Sequence, residues 1–359
     1  MRGTGGRAGI FILLAASFLA ADVRPGAFAP LPDPVGVARP FAGVSGGRVL
    51  IAGGANFPEK PLADGGRKRC HAAVWAADLA APSPAWVRAG DLPRPWAEGG
   101  YATTPKGIVC VAGAVGYDPL VLTNGCFLLS WDASGRRAVT RPLPPFPEVA
   151  QYAAAAARGS VAYAVGRRKV AALDLDAEPL AWRPLPDLPE EVFQPACAVQ
   201  GAADGKVAFF VFAEHGEKGV SGGWHLDLSP VCGTTWRPLA DVPPEGPSGD
   251  RRFVGSLAAA VGDRQVLFFG GMSRAVARES AAMTTEEYLR HPNEWFRFPK
   301  DVLVYDTVAD VWCAREGSPE FARAGAAVVT LPDGRILVHG GEVGPGVRTN
   351  EGTVTGEVP

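Results

Sequence analysis

The chain has 359 residues, with 35 Lys and Arg against 37 Asp and Glu for a formal charge of −2; it carries no basic stripe with interleaved aromatics, which excludes nucleic acid as a partner. Length alone allows two average domains, but propellers and barrels run this long as single units, so the internal pattern decides. The 45 glycines and 33 prolines punctuate apolar runs such as Arg48-Val49-Leu50-Ile51-Ala52 instead of forming low-complexity tracts, the pattern of many short strands joined by tight turns.

The N-terminus carries Arg2 and Arg7, an apolar run over 10–20, and small residues at Ala20 and Ala21. It reads as a cleaved secretory signal over residues 1–21, placing the rest in the periplasm or outside the cell with no membrane attachment after cleavage. The alternative, a membrane anchor, needs about 20 apolar residues, and this run is shorter. The six cysteines (Cys70, Cys110, Cys126, Cys197, Cys232, Cys313) show neither CxxC nor zinc-ligand spacing, so neither a metal nor another cofactor is expected. Cys110 and Cys126 fall on neighbouring predicted strands, where they either pair or stay as buried thiols.

From Phe41 onward one unit recurs: a strand of small residues, an apolar strand ending at a glycine position, an alternating strand, and a closing strand with Trp shortly before Leu-Pro or a related dipeptide. The first unit takes in Phe41, Gly53-Gly54, Ala73-Val74-Trp75, Trp86 and Leu92-Pro93. Its loop after the glycine pair contains Asn56, an ordinary turn former that also suits a sugar hydroxyl or amide. Arg67, Lys68 and Arg69 in the same loop offer positive potential for an anion, or a solvated face. The second unit has Ile108-Val109-Cys110-Val111, a weaker Gly113-Ala114 and Leu143-Pro144; the third has Val161-Ala162-Tyr163, Trp182 and Leu185-Pro186. The fourth has Val207-Ala208-Phe209-Phe210 and Trp236, and the fifth has Val266-Leu267-Phe268-Phe269, Gly270-Gly271 and Trp312.

An insertion over 273–300 interrupts the fifth unit and contains Thr284-Thr285-Glu286-Glu287, the signature of a capped short helix. A segment that long suits a partial lid over a channel mouth. The sixth unit starts after Arg323, a candidate to point down the central channel, and reaches Ile336-Leu337-Val338 and Thr353-Val354-Thr355 without a closing Trp strand. The segment from Phe28 to Leu31-Pro32 resembles a closing strand with no unit before it. Together the two fragments complete one blade. The expected fold is all-β, a six-bladed β-propeller in one domain over 22–359, its ring closed by the N-terminal strand completing the C-terminal blade.

The last loop, Gly341-Glu342-Val343-Gly344-Pro345-Gly346-Val347-Arg348-Thr349, puts a carboxylate and a guanidinium on one short turn. Glu342 suits proton transfer and Arg348 suits bidentate anion binding, whereas a surface ion pair of little consequence is the bland alternative.

Taken with Arg323-Ala324-Gly325-Ala326-Ala327-Val328-Val329, and with Phe41-Ala42-Gly43-Val44 and Ala52-Gly53-Gly54-Ala55-Asn56-Phe57, that loop resembles the kelch-type propellers, and among them the N-acetylneuraminate epimerase (sialic acid mutarotase) family. The blade order is that of the family's circularly permuted branch, since the Glu/Arg loop comes last here. The resemblance implies interconversion of the α and β anomers of sialic acid in the periplasm, with Glu342 and Arg348 as the functional pair and an acidic sugar as partner. Substrate contacts are expected from Arg348, Asn56, Arg323 and Arg67. The second Gly-Glu, Gly216-Glu217, lacks the Pro-Gly-x-Arg-Thr continuation and receives no role.

The alternative is an exported kelch propeller that binds glycan or protein without catalysis, since blades alone do not specify function. A sialidase is disfavoured because Ser229-Pro230-Val231-Cys232-Gly233-Thr234-Thr235-Trp236 has Val231 where an Asp-box needs Asp. A copper radical oxidase is disfavoured because the five histidines are scattered.

Overall fold

Six strands made largely of small residues stand side by side around one axis: Phe41–Ser45, Gly100–Thr104, Ala154–Arg158, Ala196–Gly201, Leu257–Val261 and Ala327–Thr330. Each touches the next, and the last touches the first. Alanine is a weak strand former in isolation, but its small side chain lets neighbouring inner strands pack closely against one another, and that packing overrides propensity. The computed structural model describes residues 23–356 apart from 118, 203, 217–218, 230–234 and 245–246. The segment expected as a secretory signal, Glu217, Cys232 and the core of the Asp-box-like stretch lie outside the described residues.

Each inner strand leads outward through an antiparallel sheet of four strands, the second sheet carrying an extra short strand, Trp96–Ala97, so the molecule is a six-bladed β-propeller. In the sixth blade the outermost strand comes from the other end of the chain. Pro25–Phe28 pairs antiparallel with Gly352–Thr355, from Pro25 opposite Thr355 to Phe28 opposite Gly352. Phe28 and Leu31 pack there with Val37, Ile51, Trp86, Leu337 and Val354 in one buried cluster spanning the last and first blades. Burying a side chain such as Phe28 or Leu31 contributes roughly 1.5–3 kcal/mol each, so the seam is held by core packing as well as by its ladder.

The Trp residues of the closing strands tie neighbouring blades together. The indole Nε1–H donates to a carbonyl at the end of the previous blade: Trp86 to Ala29 (2.7 Å), Trp182 to Pro144 (2.9 Å), Trp236 to Pro186 (3.0 Å) and Trp312 to Ala240 (2.7 Å). The Trp-before-Leu-Pro pattern is therefore an interblade hydrogen bond written in sequence, with the apolar body of the indole in the interface and its one polar group satisfied.

The glycine pairs answer to a close approach. A Cβ on Gly53 would lie 2.1 Å from the Trp96 carbonyl oxygen, and one on Gly270 would lie 1.7 Å from that of Arg323. Both glycines are left-handed, at φ 67° and 60°. The next residue donates its N–H to the adjoining blade: Gly54 to Trp96 O, Gly271 to Arg323 O and Gly341 to Val37 O. In the second blade the pair is Ala112-Gly113, one residue earlier than the expected Gly113-Ala114, at a bulge where both take positive φ.

Cys110 and Cys126 do not pair. Cys110 lies opposite Phe127, and Cys126 lies opposite Val111. A one-residue offset sends side chains to opposite faces of a sheet, and the two thiols belong to different core clusters. Both are free and buried.

The insertion forms a helix Arg274–Glu279 and a second, Thr285–Leu289, whose Thr284 cap and Glu287 make a reciprocal capping box. It then turns through Asn293–Phe296 and packs against the last loop, where a Cβ on Gly344 would meet Asn293 Oδ1 at 2.2 Å.

Candidate active site

Immediately before each inner strand the chain turns through one residue of left-handed conformation: Arg39 (φ 54°), Glu98 (63°), Tyr152 (60°), Gln194 (50°), Gly255 (80°) and Gly325 (61°). Backbone hydrogen bonds link five of these positions in series, from Gly255 through Gly325, Arg39 and Glu98 to Tyr152. Arg39 N–H donates to Gly325 O (2.7 Å), Glu98 N–H to Arg39 O (2.9 Å), Tyr152 N–H to Glu98 O (2.7 Å) and Gly325 N–H to Gly255 O (2.8 Å). Gly255 N–H donates instead to the side-chain oxygen of Gln194 (2.9 Å). Four non-glycine residues held in this conformation, at a cost of order 1–2 kcal/mol each, mark the rim as a built feature.

These residues line one pocket of about 90 Å³ at the mouth of the axis, together with Ala38, Ala55, Lys68, Met272, Glu342 and Arg348. Blades one to four present a side chain at the rim, whereas the fifth and sixth present Gly255 and Gly325; the Arg39 side chain lies over Gly325, where a Cβ would meet its Nε at 3.0 Å, and Ala324 lies over Gly255. A second set of lining residues follows the glycine pairs: Ala55 after Gly54, Met272 after Gly271 and Glu342 after Gly341. Only the sixth blade puts a carboxylate at that position. Beneath the rim the axial channel has about 280 Å³, walled by Ala42, Ala102, Ala156, Ala198, Ala259 and Val328 among others, and its one charged lining residue is Arg39. The chemistry is concentrated at the mouth, although the larger volume lies below it.

Glu342 and Arg348 face each other across a two-stranded turn, Glu342–Gly344 with Val347–Arg348. Arg348 Nη1 lies 2.5 Å from Glu342 Oε1, with the Arg side chain 3% exposed and the Glu 28%. Nη1 nevertheless has no aligned hydrogen-bond acceptor, so the contact is a charge pair whose N–H directions remain unmatched. Arg348 Nε donates to Ala55 O of the first blade (3.1 Å), and its guanidinium lies over the Phe57 ring at 5.1 Å. Two edges of the fork are thus already engaged, unlike the free bidentate clamp that the sequence suggests.

A second ion pair faces the first. Lys68 Nζ lies 2.8 Å from Glu98 Oε1, and Gln151 donates to Glu98 Oε2 at 2.6 Å. Burial opposes both charges, but the pairing wins: Glu98, only 3% exposed, is held below its ordinary range by the Lys68 charge and by hydrogen bonds from Lys68 and Gln151, and Lys68 is held above its own by Glu98. Arg39, lowered by burial with partial compensation from Tyr152, Glu98 and Glu342, remains a cation. It lies 5.1 Å over the Tyr152 ring and donates to Gln194 Oε1. Burial raises the phenol of Tyr288 in the insertion, and the negative charge of Glu342 adds to it, which places the insertion within electrostatic reach of the site.

Three expected substrate contacts fall elsewhere. Asn56 is 1% exposed, donates to Gly36 O (2.9 Å) and meets His71 Nε2 through Oδ1 (2.6 Å). Strand alternation turns Ala55 toward the pocket and Asn56 away from it. Arg323 donates through Nη1 to Gly340 O (3.2 Å) and Glu351 O (3.0 Å), bracing the last blade instead of entering the channel. Arg67 is exposed and does not line the pocket; Lys68 is the cation of that loop that does. Sequence reading missed Arg39, Glu98, Tyr152 and Gln194. Each stands two residues before a small-residue inner strand, but the four differ in type, so no residue pattern marks them. Among the described residues no group of three His, Cys, Asp or Glu side chains is placed to hold a metal ion.

No domain-family model matches the sequence. The chain is 26% identical over 196 residues to N-acetylneuraminate epimerase of Yersinia enterocolitica serotype O:8 / biotype 1B, covering 49% of this chain and 47% of that protein. It is 25% identical over 261 residues to the protein of that name from Brucella melitensis biotype 1, covering 64% and 62%, and 29% identical over 205 residues to that from Haemophilus influenzae, covering 52% and 51%. The matched region thus spans about half of the length of these curated relatives. The solved structure of YjhT superposes with a TM-score of 0.64 over 92% of this chain and 97% of its own, at 13% identity, a likeness of fold.

Proposed function

We propose that this protein is a sugar-acid mutarotase that interconverts the anomers of N-acetylneuraminate, with Glu342 as the acid/base group. The observation that carries the reading is the convergence of Glu342 and Arg348 with Arg39, Lys68 and Glu98 on one axial mouth. The similarity of the chain to proteins named N-acetylneuraminate epimerase supports the substrate class. The reading keeps the kelch assignment and the permuted blade order, with the functional loop on the last blade.

Anomer exchange requires the anomeric hydroxyl to lose a proton while the ring oxygen gains one; the ring C–O bond breaks, and the open-chain ketone recloses on its other face. One positioned carboxylate serves both transfers. Glu342 Oε1 is held by Arg348, which leaves Oε2 to take the hydroxyl proton and return it, directly or through a water. Arg348 holds the carboxylate in place. An enclosed volume of about 90 Å³ is well short of the roughly 300 Å³ of a pocket that swallows a drug-sized ligand, so the pocket takes the acidic end of the sugar and the remainder lies in the open mouth. There Phe193, 61% exposed, packs edge-on to Tyr152 at 5.5 Å and offers an apolar face. The leader-like segment 1–21 places the reaction in the periplasm or outside the cell in this reading.

The test is NMR of freshly released α-N-acetylneuraminate with and without protein. Wild type is expected to speed anomer equilibration, and Glu342→Gln is expected to lose about 10²–10⁴ of the acceleration, the range of a positioned acid/base group. Equal rates with and without wild-type protein refute the proposal.

A further inference from the structure

The mouth holds three cations, Arg39, Lys68 and Arg348, and two carboxylates, Glu98 and Glu342. Lys68 is matched by Glu98 at 2.8 Å and Arg348 by Glu342 at 2.5 Å. Arg39 has no carboxylate within ion-pair distance among the described residues. Its guanidinium meets a neutral amide, Gln194, and the face of a neutral phenol, Tyr152. One of five guanidinium N–H donors is engaged by Gln194, and the side chain is half-buried with access to the mouth. The surplus is therefore one positive charge at one identified residue.

We propose that Arg39 is the specificity-determining anion anchor of this site, taking the ligand's carboxylate and selecting a monoanionic sugar acid over neutral sugars. The proposal rests on the sugar-acid reading above and moves the carboxylate contact away from Arg348, whose fork is divided between Ala55 O and Glu342. Four features prepare Arg39 for the role. Its backbone is fixed in the left-handed rim conformation by hydrogen bonds to both neighbouring blades, its N–H to Gly325 O and its carbonyl from Glu98 N–H. The guanidinium is oriented by Gln194 and Tyr152, so little freedom is lost when an anion binds. It forms the boundary between the polar mouth and the apolar channel, where desolvation strengthens a charge-assisted pair. Finally, Gly325 is bare where the Arg39 side chain crosses it, since a Cβ there would lie 3.0 Å from Arg39 Nε, and Arg39 lines the same pocket as Glu342. A carboxylate on Arg39 thus sets the adjoining anomeric carbon toward the acid/base group.

The test compares N-acetylneuraminate with its neutral methyl ester, by anomerisation kinetics and by calorimetric binding, in wild type, Arg39→Gln and Arg39→Lys. Wild type is expected to prefer the acid. In Arg39→Gln the KM and Kd for the acid rise at least about tenfold, more than kcat falls, and the acid-to-ester preference collapses toward unity, as loss of a bidentate charge pair requires. Arg39→Lys keeps the charge but not the fork and recovers only part of the preference. An unchanged acid-to-ester ratio in Arg39→Gln overturns the proposal; should that variant not fold, an unchanged ratio in Arg39→Lys does so. If wild type accelerates neither compound, the mutarotase reading fails, while selective loss of acid binding in the Arg39 variants still supports the anchor.

Discussion

Replacing Gly270 by alanine tests whether the glycine pairs exist because the next blade's backbone closes on them. The added Cβ meets Arg323 O at 1.7 Å, and a flexible side chain tip cannot relieve that overlap because the obstacle is a carbonyl. Gly262 supplies the control: its φ is +54°, close to the +60° of Gly270, yet nothing lies within 4 Å of its Cβ position. Both substitutions incur left-handed strain of about 1–2 kcal/mol, offset by roughly 0.4–1 kcal/mol from the stiffer unfolded chain. Gly270→Ala adds overpacking of about 1–3 kcal/mol and weakens the Gly271 N–H to Arg323 O bond, worth about 1 kcal/mol. The expected difference between the variants is therefore about 2–4 kcal/mol, or a thermal midpoint lower by about 3–6 °C in Gly270→Ala at about 2.1 cal/mol/K of unfolding entropy per residue. Differential scanning at one fixed scan rate reads it. Equal midpoints for the two variants would show that the interblade approach is not what demands glycine.

Acid should weaken the fold through His339, whose imidazole is pushed down to about 4 by burial, with the Ala29 carbonyl opposing and Arg323 assisting. The unfolded chain binds its proton from about pH 6.5 downward and the folded one only near 4, so stability falls as pH drops across that window, by about 3 kcal/mol at most; burial also lowers His71 and His225, with the same sign. Denaturant titrations at pH 7 and pH 4.5 should show the loss in wild type and a smaller one in His339→Gln, and parallel losses would remove His339 as the cause. Arg323→Met should lower the midpoint, because the Gly340 carbonyl loses its charged donor at about 1–3 kcal/mol, the Glu351 carbonyl keeping the Gly340 N–H, while KM stays within about threefold at temperatures well below unfolding. A tenfold rise in KM at an unchanged midpoint would return Arg323 to the binding site. Denatured protein that has never seen reductant should take up a thiol reagent at both Cys110 and Cys126; protection of the pair would contradict the register that sends them to opposite faces.

Glu342 and Arg348 were legible because their motif is local: six residues apart on one turn, they pair across that turn whatever the rest of the chain does. The same held for the Thr284 capping box and for the Trp residues of the closing strands, each a short-range pattern with a fixed partner type. Arg39, Glu98, Tyr152 and Gln194 were not legible as a group. They are separated by 40 to 60 residues, differ in type and share only a backbone conformation that no single residue announces. Asn56 and Arg67 lie on the loop after the glycine pair, yet that loop does not bring them to the mouth: strand alternation turns Asn56 away, and the loop presents Lys68 there in place of Arg67.

Sequence by itself determined the blade count, the joining of the two chain ends in one sheet, and which loop carries a carboxylate beside a guanidinium, because periodic strands and turn residues act over a few positions. Tertiary structure alone decided which charges share the mouth, that two cations are neutralised and a third is not, and that the Arg39 side chain crosses the bare Gly325 position. Those are sums over six blades meeting at an axis, and an electrostatic balance of that kind depends on distances that no local pattern contains.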